Sequence, residues 1–157
     1  MCPAALSHGV DVLHFLHSDW QTVSSLAAEI RAPDGEALPA GDLGILLIRL
    51  CARLYALSRI ETELLYPCVD DQALRDSGNR MHDQMVVDLH AVLDAMMREE
   101  HAGPADGTVQ VLMQDLAALH RFEVDMIFPC CDPAELDAIG EQMMRKRLAL
   151  LDNLRES

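Results

Sequence analysis

Basic residues are scarce in this chain, with 12 Lys and Arg against 26 Asp and Glu, and the formal net charge is -14. So acidic a surface repels phosphate backbones, which makes nucleic acid and anionic membrane poor partners and leaves cations and basic proteins. Aromatic residues make up only 4% and β-branched runs are few, while Leu, Ala and Met carry an apolar half. That balance favours helix over sheet. No run of 18 apolar residues occurs; the longest candidate, Leu43 to Leu57, is broken by Arg49 and Arg53. The N-terminus lacks the basic and apolar regions of a signal peptide. The five cysteines, Cys2, Cys51, Cys68, Cys130 and Cys131, are odd in number and follow no disulfide-framework spacing. Reduced thiols in a soluble cytoplasmic protein are the expectation. A Gly-rich phosphate loop, a nucleophile elbow and a Cys-x-x-Cys pair are all missing, so binding is expected rather than enzymatic turnover.

What is present is a stretch used twice. Leu54-Tyr-Ala-Leu-Ser-Arg-Ile-Glu61-Thr-Glu-Leu-Leu-Tyr-Pro67-Cys68 recurs as Leu116-Ala-Ala-Leu-His-Arg-Phe-Glu123-Val-Asp-Met-Ile-Phe-Pro129-Cys130, a period of 62 residues. Each copy carries a glutamate inside an apolar stripe of three-four spacing. The first stripe is Leu47, Leu50, Leu54, Leu57, Glu61 and Leu64; the second is Val109, Leu112, Leu116, Leu119, Glu123 and Met126. Glu61 and Glu123 therefore point where leucines point. A buried ionised carboxylate takes up a proton, finds a cation or binds a metal, and two facing each other sharpen that need. Without a metal, at least one of the pair should have a raised pKa. Arg or water as partner, or a helix turned to put its Glu in solvent, are the alternatives.

With 157 residues, residues 1–157 read as one domain, burying roughly 68 to 70% of the unfolded surface. A first helix is expected from a Ser7 cap to Arg31, with Leu13, Leu16, Trp20, Val23, Ala27 and Ile30 inward. Pro33 to Gly41 reads as a loop, and Asp42 as the cap of a second helix ending at Pro67. A third spans Ser77 to Glu100, with His82, Val86, Leu89, Leu93 and Met96 on one face. A fourth starts at Thr108 and ends before Pro129, and a fifth runs from Pro133 to Arg155 behind an Asp132 cap. Together these predict an all-α fold, an antiparallel up-down-up-down four-helix bundle with an additional C-terminal helix. His82 shares the stripe of the two glutamates, His120 lies one position off it, and His17 sits with Trp20 on the first helix. Glu61, Glu123, His82, His120 and His17 are thus the candidate metal ligands, suited to iron, manganese or zinc rather than calcium or magnesium. His8, His14, His90 and His101 read as surface residues.

The spacing from Glu61 to Tyr66-Pro67, its echo from Glu123 to Phe128-Pro129, the tail from Asp132 to Met144 and the opening Asp11-Val-Leu-His-Phe-Leu-His-Ser-Asp19-Trp20 resemble the hemerythrin-like (HHE cation-binding) family. The likeness covers nearly the whole chain. It implies a helical bundle holding a non-haem di-iron centre through histidines and bridging carboxylates, used for oxygen, nitric oxide, peroxide or iron sensing. Trp20 stands where the family's first-helix histidine would be, and Leu57 and Leu119 stand where a histidine precedes each carboxylate. Glu61, Glu123 and His82 carry over, with His120 and His17 as substitutes. The resemblance thus implies iron, with zinc or manganese as alternatives, in a single-metal site or one that is lost, and a small diatomic ligand as partner; a homodimer stays open, and the alternative is a metal-free bundle acting as an interaction or regulatory protein. Separately, Cys68 and Cys130 occupy equivalent places in the repeat with Cys131 alongside, so a thiol redox pair or soft-metal site is a further option.

Overall fold

A computed structural model describes residues 12–30, 40–98 and 106–156. Five α-helices, α1 (Val12–Ile30), α2 (Ala40–Ile60), α3 (Gln72–Arg98), α4 (Asp106–Phe122) and α5 (Pro133–Glu156), carry the chain, and the described residues contain no strand. α1 lies against α2, α3 against α4, and α5 covers α2 and part of α1. Among the described residues, no helix is long and apolar enough to cross a membrane.

The expected stripes become the core. Leu47, Leu50, Leu54 and Leu57 from α2, and Leu112, Leu116 and Leu119 from α4, are buried with Leu16, Trp20, Val23 and Ala27 from α1. α5 is held by Leu136 and Met143 inside and by ion pairs outside. Arg147 Nη1 meets Asp19 Oδ1 at 2.5 Å and its guanidinium lies 4.3 Å from the Phe15 ring centre, while Lys146 pairs with Glu63.

Several boundaries differ from the sequence reading. Ser7 and most of the Pro33–Gly41 loop lie outside the described residues. α2 already begins at Ala40, which puts Asp42 inside the helix instead of at its cap. α3 starts at Gln72, not Ser77, because Asp71 caps it: its Oδ1 accepts the amides of Ala73 at 2.9 Å and Leu74 at 3.3 Å. Its buried face runs through Gly78, His82, Met85, Leu89 and Val92. Val86, Leu93 and Met96, expected inward, are only half-buried, since Met85 and Val92 fit the same three-four spacing one position earlier. α4 starts at Asp106, so Thr108 falls within its first turn. Asp132 caps α5 as expected, its Oδ1 accepting the Ala134 amide at 2.9 Å.

The largest departure lies at the ends of α2 and α4. Neither continues as α-helix up to its proline. At Glu61–Leu65 and again at Glu123–Ile127 the backbone widens into a π-helical turn, closed by the amides of Tyr66 and Phe128 bonding back to the carbonyls of Glu61 and Glu123. Each turn then tightens into a 3₁₀ turn, Tyr66–Cys68 and Phe128–Cys130, which accommodates the proline. Proline has no amide to give and crowds the carbonyl four residues back, so a regular ladder cannot pass through it. The additional residue per turn shifts the register: Leu65 and Ile127 are fully buried, Leu64 is half-buried and Met126 is turned out at 45% exposure. Single π-turns inside α-helices are rare and recur at functional sites. Both here begin at the stripe glutamate.

Candidate metal centre

The two glutamates are fully buried, and His82 is 2% exposed. The option that a rotated helix carries one of them to solvent is thereby closed. Glu61, His82 and Glu123 each bring a donor atom within 4.8 Å of the others. His82 Nε2 stands 2.9 Å from Glu123 Oε1 and 3.2 Å from Glu61 Oε2. The other ring nitrogen, Nδ1, is 2.9 Å from Ser58 Oγ, so the hydroxyl orients the imidazole with Nε2 toward the carboxylates.

The two carboxylates are not equivalent. Glu123 gathers donors: Trp20 Nε1 donates to its Oε2 at 3.4 Å, and Tyr66 OH donates to its Oε1 at 3.0 Å beside the imidazole. Among the described residues no other side chain donates a hydrogen bond to either oxygen of Glu61, which has only the ion-pair approach of His82 and the Glu123 carboxyl beside it. Burial, then the neighbouring charge of Glu123, pushes Glu61 well above its usual 4.5. Burial would raise Glu123 as well, but hydrogen bonds from Glu61 and His82, with Tyr66 behind them, outweigh it and hold that carboxyl below its usual value. Without an ion, burial and the neighbouring charge favour a proton on Glu61, and the bonds it receives favour the anion at Glu123. The expectation of one raised carboxyl is met, and Glu61 is the one.

The repeat accounts for part of this geometry and breaks in the rest. Trp20 and His82 stand 62 positions apart, as do Glu61 and Glu123, and both rings direct a nitrogen at Glu123. Tyr66 and Phe128 are likewise equivalent, but only the tyrosine has a hydroxyl to give. Gly78 makes its reach feasible: a Cβ there would come within 2.5 Å of the Tyr66 ring. The buried phenol, surrounded by two carboxylates, has its own pKa raised, first by burial and then by Glu123 and Glu61. Tyr66, Ser58 and Gly78 were not singled out from the sequence. The readable signal was that the two copies differ at 58/120, serine against histidine, and at 66/128, where one ring carries a hydroxyl and the other does not.

No family model matches the chain, and no curated protein or solved structure matches it. The site must be judged on its own chemistry.

His120 and His17 do not join the three-residue cluster. His120 stacks on Trp20 with ring centres 4.6 Å apart, and its half-buried position depresses its pKa through desolvation. His17 is exposed and meets Phe128 edge-on at 5.5 Å. The one-position offset of His120 turns its ring along the stripe's flank, and Trp20 fills the space between it and Glu123. His14 and His90 are exposed, as expected, while His8 and His101 lie outside the described residues. Of the thiols, Cys130 is exposed, Cys68 half-buried and Cys131 buried; Cys2 lies outside the described residues. Cys131 donates to the Ile127 carbonyl at 3.3 Å and burial pushes it up to about 12; burial also raises Cys68. Thiols raised in this way are poor nucleophiles, the opposite of what a redox sensor needs.

The donor set suits a transition ion. Atoms bound at about 2.0–2.2 Å from one ion stand roughly 3 Å from each other at right angles, which is the spacing His82 Nε2 keeps from both carboxylates. The partnerless oxygens of Glu61 would gain the cation they lack.

Proposed function

We propose that the chain is a hemerythrin-like cation-binding protein: an up-down-up-down bundle closed by α5, with one transition-metal ion, iron first, held by Glu61, Glu123 and His82. The observation that carries this reading is the fully buried Glu61, whose two oxygens have no hydrogen-bond donor among the described residues and face a second carboxylate and an imidazole. Such a group is costly to keep unless something positive joins it. An iron ion there would supply reversible binding of a small diatomic ligand, for sensing or storage. The chain's own residues do the rest. Ser58 fixes the imidazole, Trp20 and Tyr66 hold Glu123 in place and ionised, and the leucine layers exclude water. The soft-thiol alternative lacks a comparable cluster among the described residues.

The test is metal analysis of protein reconstituted with Fe(II) or Zn(II), then desalted. About one equivalent, lost in Glu61→Gln, is the expected result. Less than about a tenth of an equivalent of either metal would overturn the reading and leave a proton-sharing bundle.

A further inference from the structure

Between α2 and α3 lies an apolar groove of about 370 Å³, floored by the buried Cys51 and Leu89 and walled by Ile48, Tyr55, Val86 and Leu93. The metal reading makes no use of it. Its surroundings are apolar too: of the nine large apolar side chains exposed among the described residues, Ile45, Ile48, Tyr55, Val87 and Met97 are on these two helices. A contiguous apolar patch rimmed by charge marks an interaction surface.

The charges around the groove say what fits it. α2 carries Arg49, Arg53 and Arg59 against one acid, Asp42, in a chain with 12 basic and 26 acidic residues. Arg53 serves Asp19 and Arg59 pairs with Glu63, while the exposed Arg49 has no ion-pair partner among the described residues. Across the groove α3 exposes Asp83 and Asp94, and its nearby cations Arg80 and Arg98 bond to Ser77 and to the Asp94 carbonyl. Ser58 meets His82 at one end and a Cβ on Gly44 would touch Met96 at the other, so the two helices run antiparallel. In that register Arg49 is level with Asp94, and Arg59 with Asp83, to within one helical turn. A face that is basic along one helix and acidic along the other is complementary to itself. A two-fold axis along the groove lays α2 of each copy on α3 of the other and brings Arg49 over Asp94 of the second copy, twice. An axis across the helices would instead set α2 on α2 and α3 on α3, like charge on like charge. We propose that this face docks a second copy of the chain in the first arrangement, with Ile48, Tyr55 and Val87 of both copies at the centre of the interface.

Analytical ultracentrifugation of the full chain from about 1 to 200 µM tests this, since association follows concentration. A monomer–dimer equilibrium is the expected result. Ile48→Asp, at a position 58% exposed and so tolerant of the change in the monomer, should leave only monomer. Arg49→Glu or Asp94→Arg alone should raise the dimer dissociation constant at least about tenfold, because like charges then meet and symmetry doubles the effect. Combining them should return it to within about threefold of wild type, the mark of a direct pair. A wild type that stays monomeric at the highest concentration would overturn the proposal and leave the groove to some other apolar partner. So would a dimer that survives Ile48→Asp, or charge reversals whose losses add instead of cancelling. Circular dichroism confirms that each variant folds, and since none of these positions is a metal ligand, failure here leaves the metal reading untouched.

Discussion

Replacing Glu61 by Gln separates the charge of this side chain from its shape. In the metal-free protein the substituted amide imitates the protonated glutamic acid, offering an N–H toward Glu123 where Glu61 offers its proton. The sign follows from the raised pKa of Glu61, caused by burial and then by Glu123. Between the ordinary value of 4.5 and the higher folded value, the native state holds a proton that the unfolded chain has released. Wild-type stability therefore falls as pH climbs through that window, by up to about 1.4 kcal/mol per pH unit for one proton. For a chain of this size that is roughly 3 to 6 °C of Tm per unit. Glu61→Gln removes this slope, so the variant should match wild type near pH 4.5 and exceed it at pH 7 in chelator. With saturating Fe(II) or Zn(II) the order should reverse, because the variant lacks an anionic ligand and should bind at least about a hundredfold more weakly. Thermal melts from pH 4.5 to 8, with chelator and with metal, provide the measurement. Parallel wild-type and variant curves in chelator would refute the reasoning, since Glu61 would then titrate alike in the folded and unfolded chain.

Tyr66→Phe deletes only the hydroxyl that donates to Glu123 at 3.0 Å and should cost about 1.5–3 kcal/mol, the range for a bond to a charged group. Because Glu123 has a lowered pKa, that cost should be full above the ordinary 4.5 and fade on acidification, as urea titrations at several pH values would record. Gly78→Ala places a Cβ within 2.5 Å of the same ring. It should cost stability despite alanine's better helix propensity, and the loss should shrink in the Tyr66→Phe background, where no hydrogen bond remains to be broken. Asp88, buried between α3 and α4 and raised to about 6 by burial and by Asp115, destabilises the folded state as pH rises from 3.8 toward 6. Asp88→Asn should therefore flatten the melting profile in that window, and a Tm difference that does not vary with pH would contradict it.

The all-helical architecture was legible because its stripes are long and regular: Leu47 to Leu57 and Leu112 to Leu119 permit one face only. The burial of Glu61 and Glu123 could be read for the same reason, and His82 followed from its place in the three-four pattern. What escaped was everything set by a shift of one residue. Periodicity assumes 3.6 residues per turn, so it sent Leu64 and Met126 inward, whereas the π-turns bury Leu65 and Ile127. The same spacing allowed Val86 as readily as Met85, which hid the buried Asp88. Ser58 and Tyr66 come from α2 and the turns that end it, the indole of Trp20 from α1, and the groups they bond from α3 and the turn that ends α4, so no one-dimensional pattern brings them together.

The two widened turns also act as clock settings. One additional residue in a helical turn rotates everything downstream by about 100° around the axis, and the chain makes that rotation twice, at matching points. The aromatic-proline-cysteine tails of both halves are therefore displaced by the same angle and stay in phase with each other. With the detour in only one half, Tyr66 and Phe128 would leave their helices about 100° apart instead of in step.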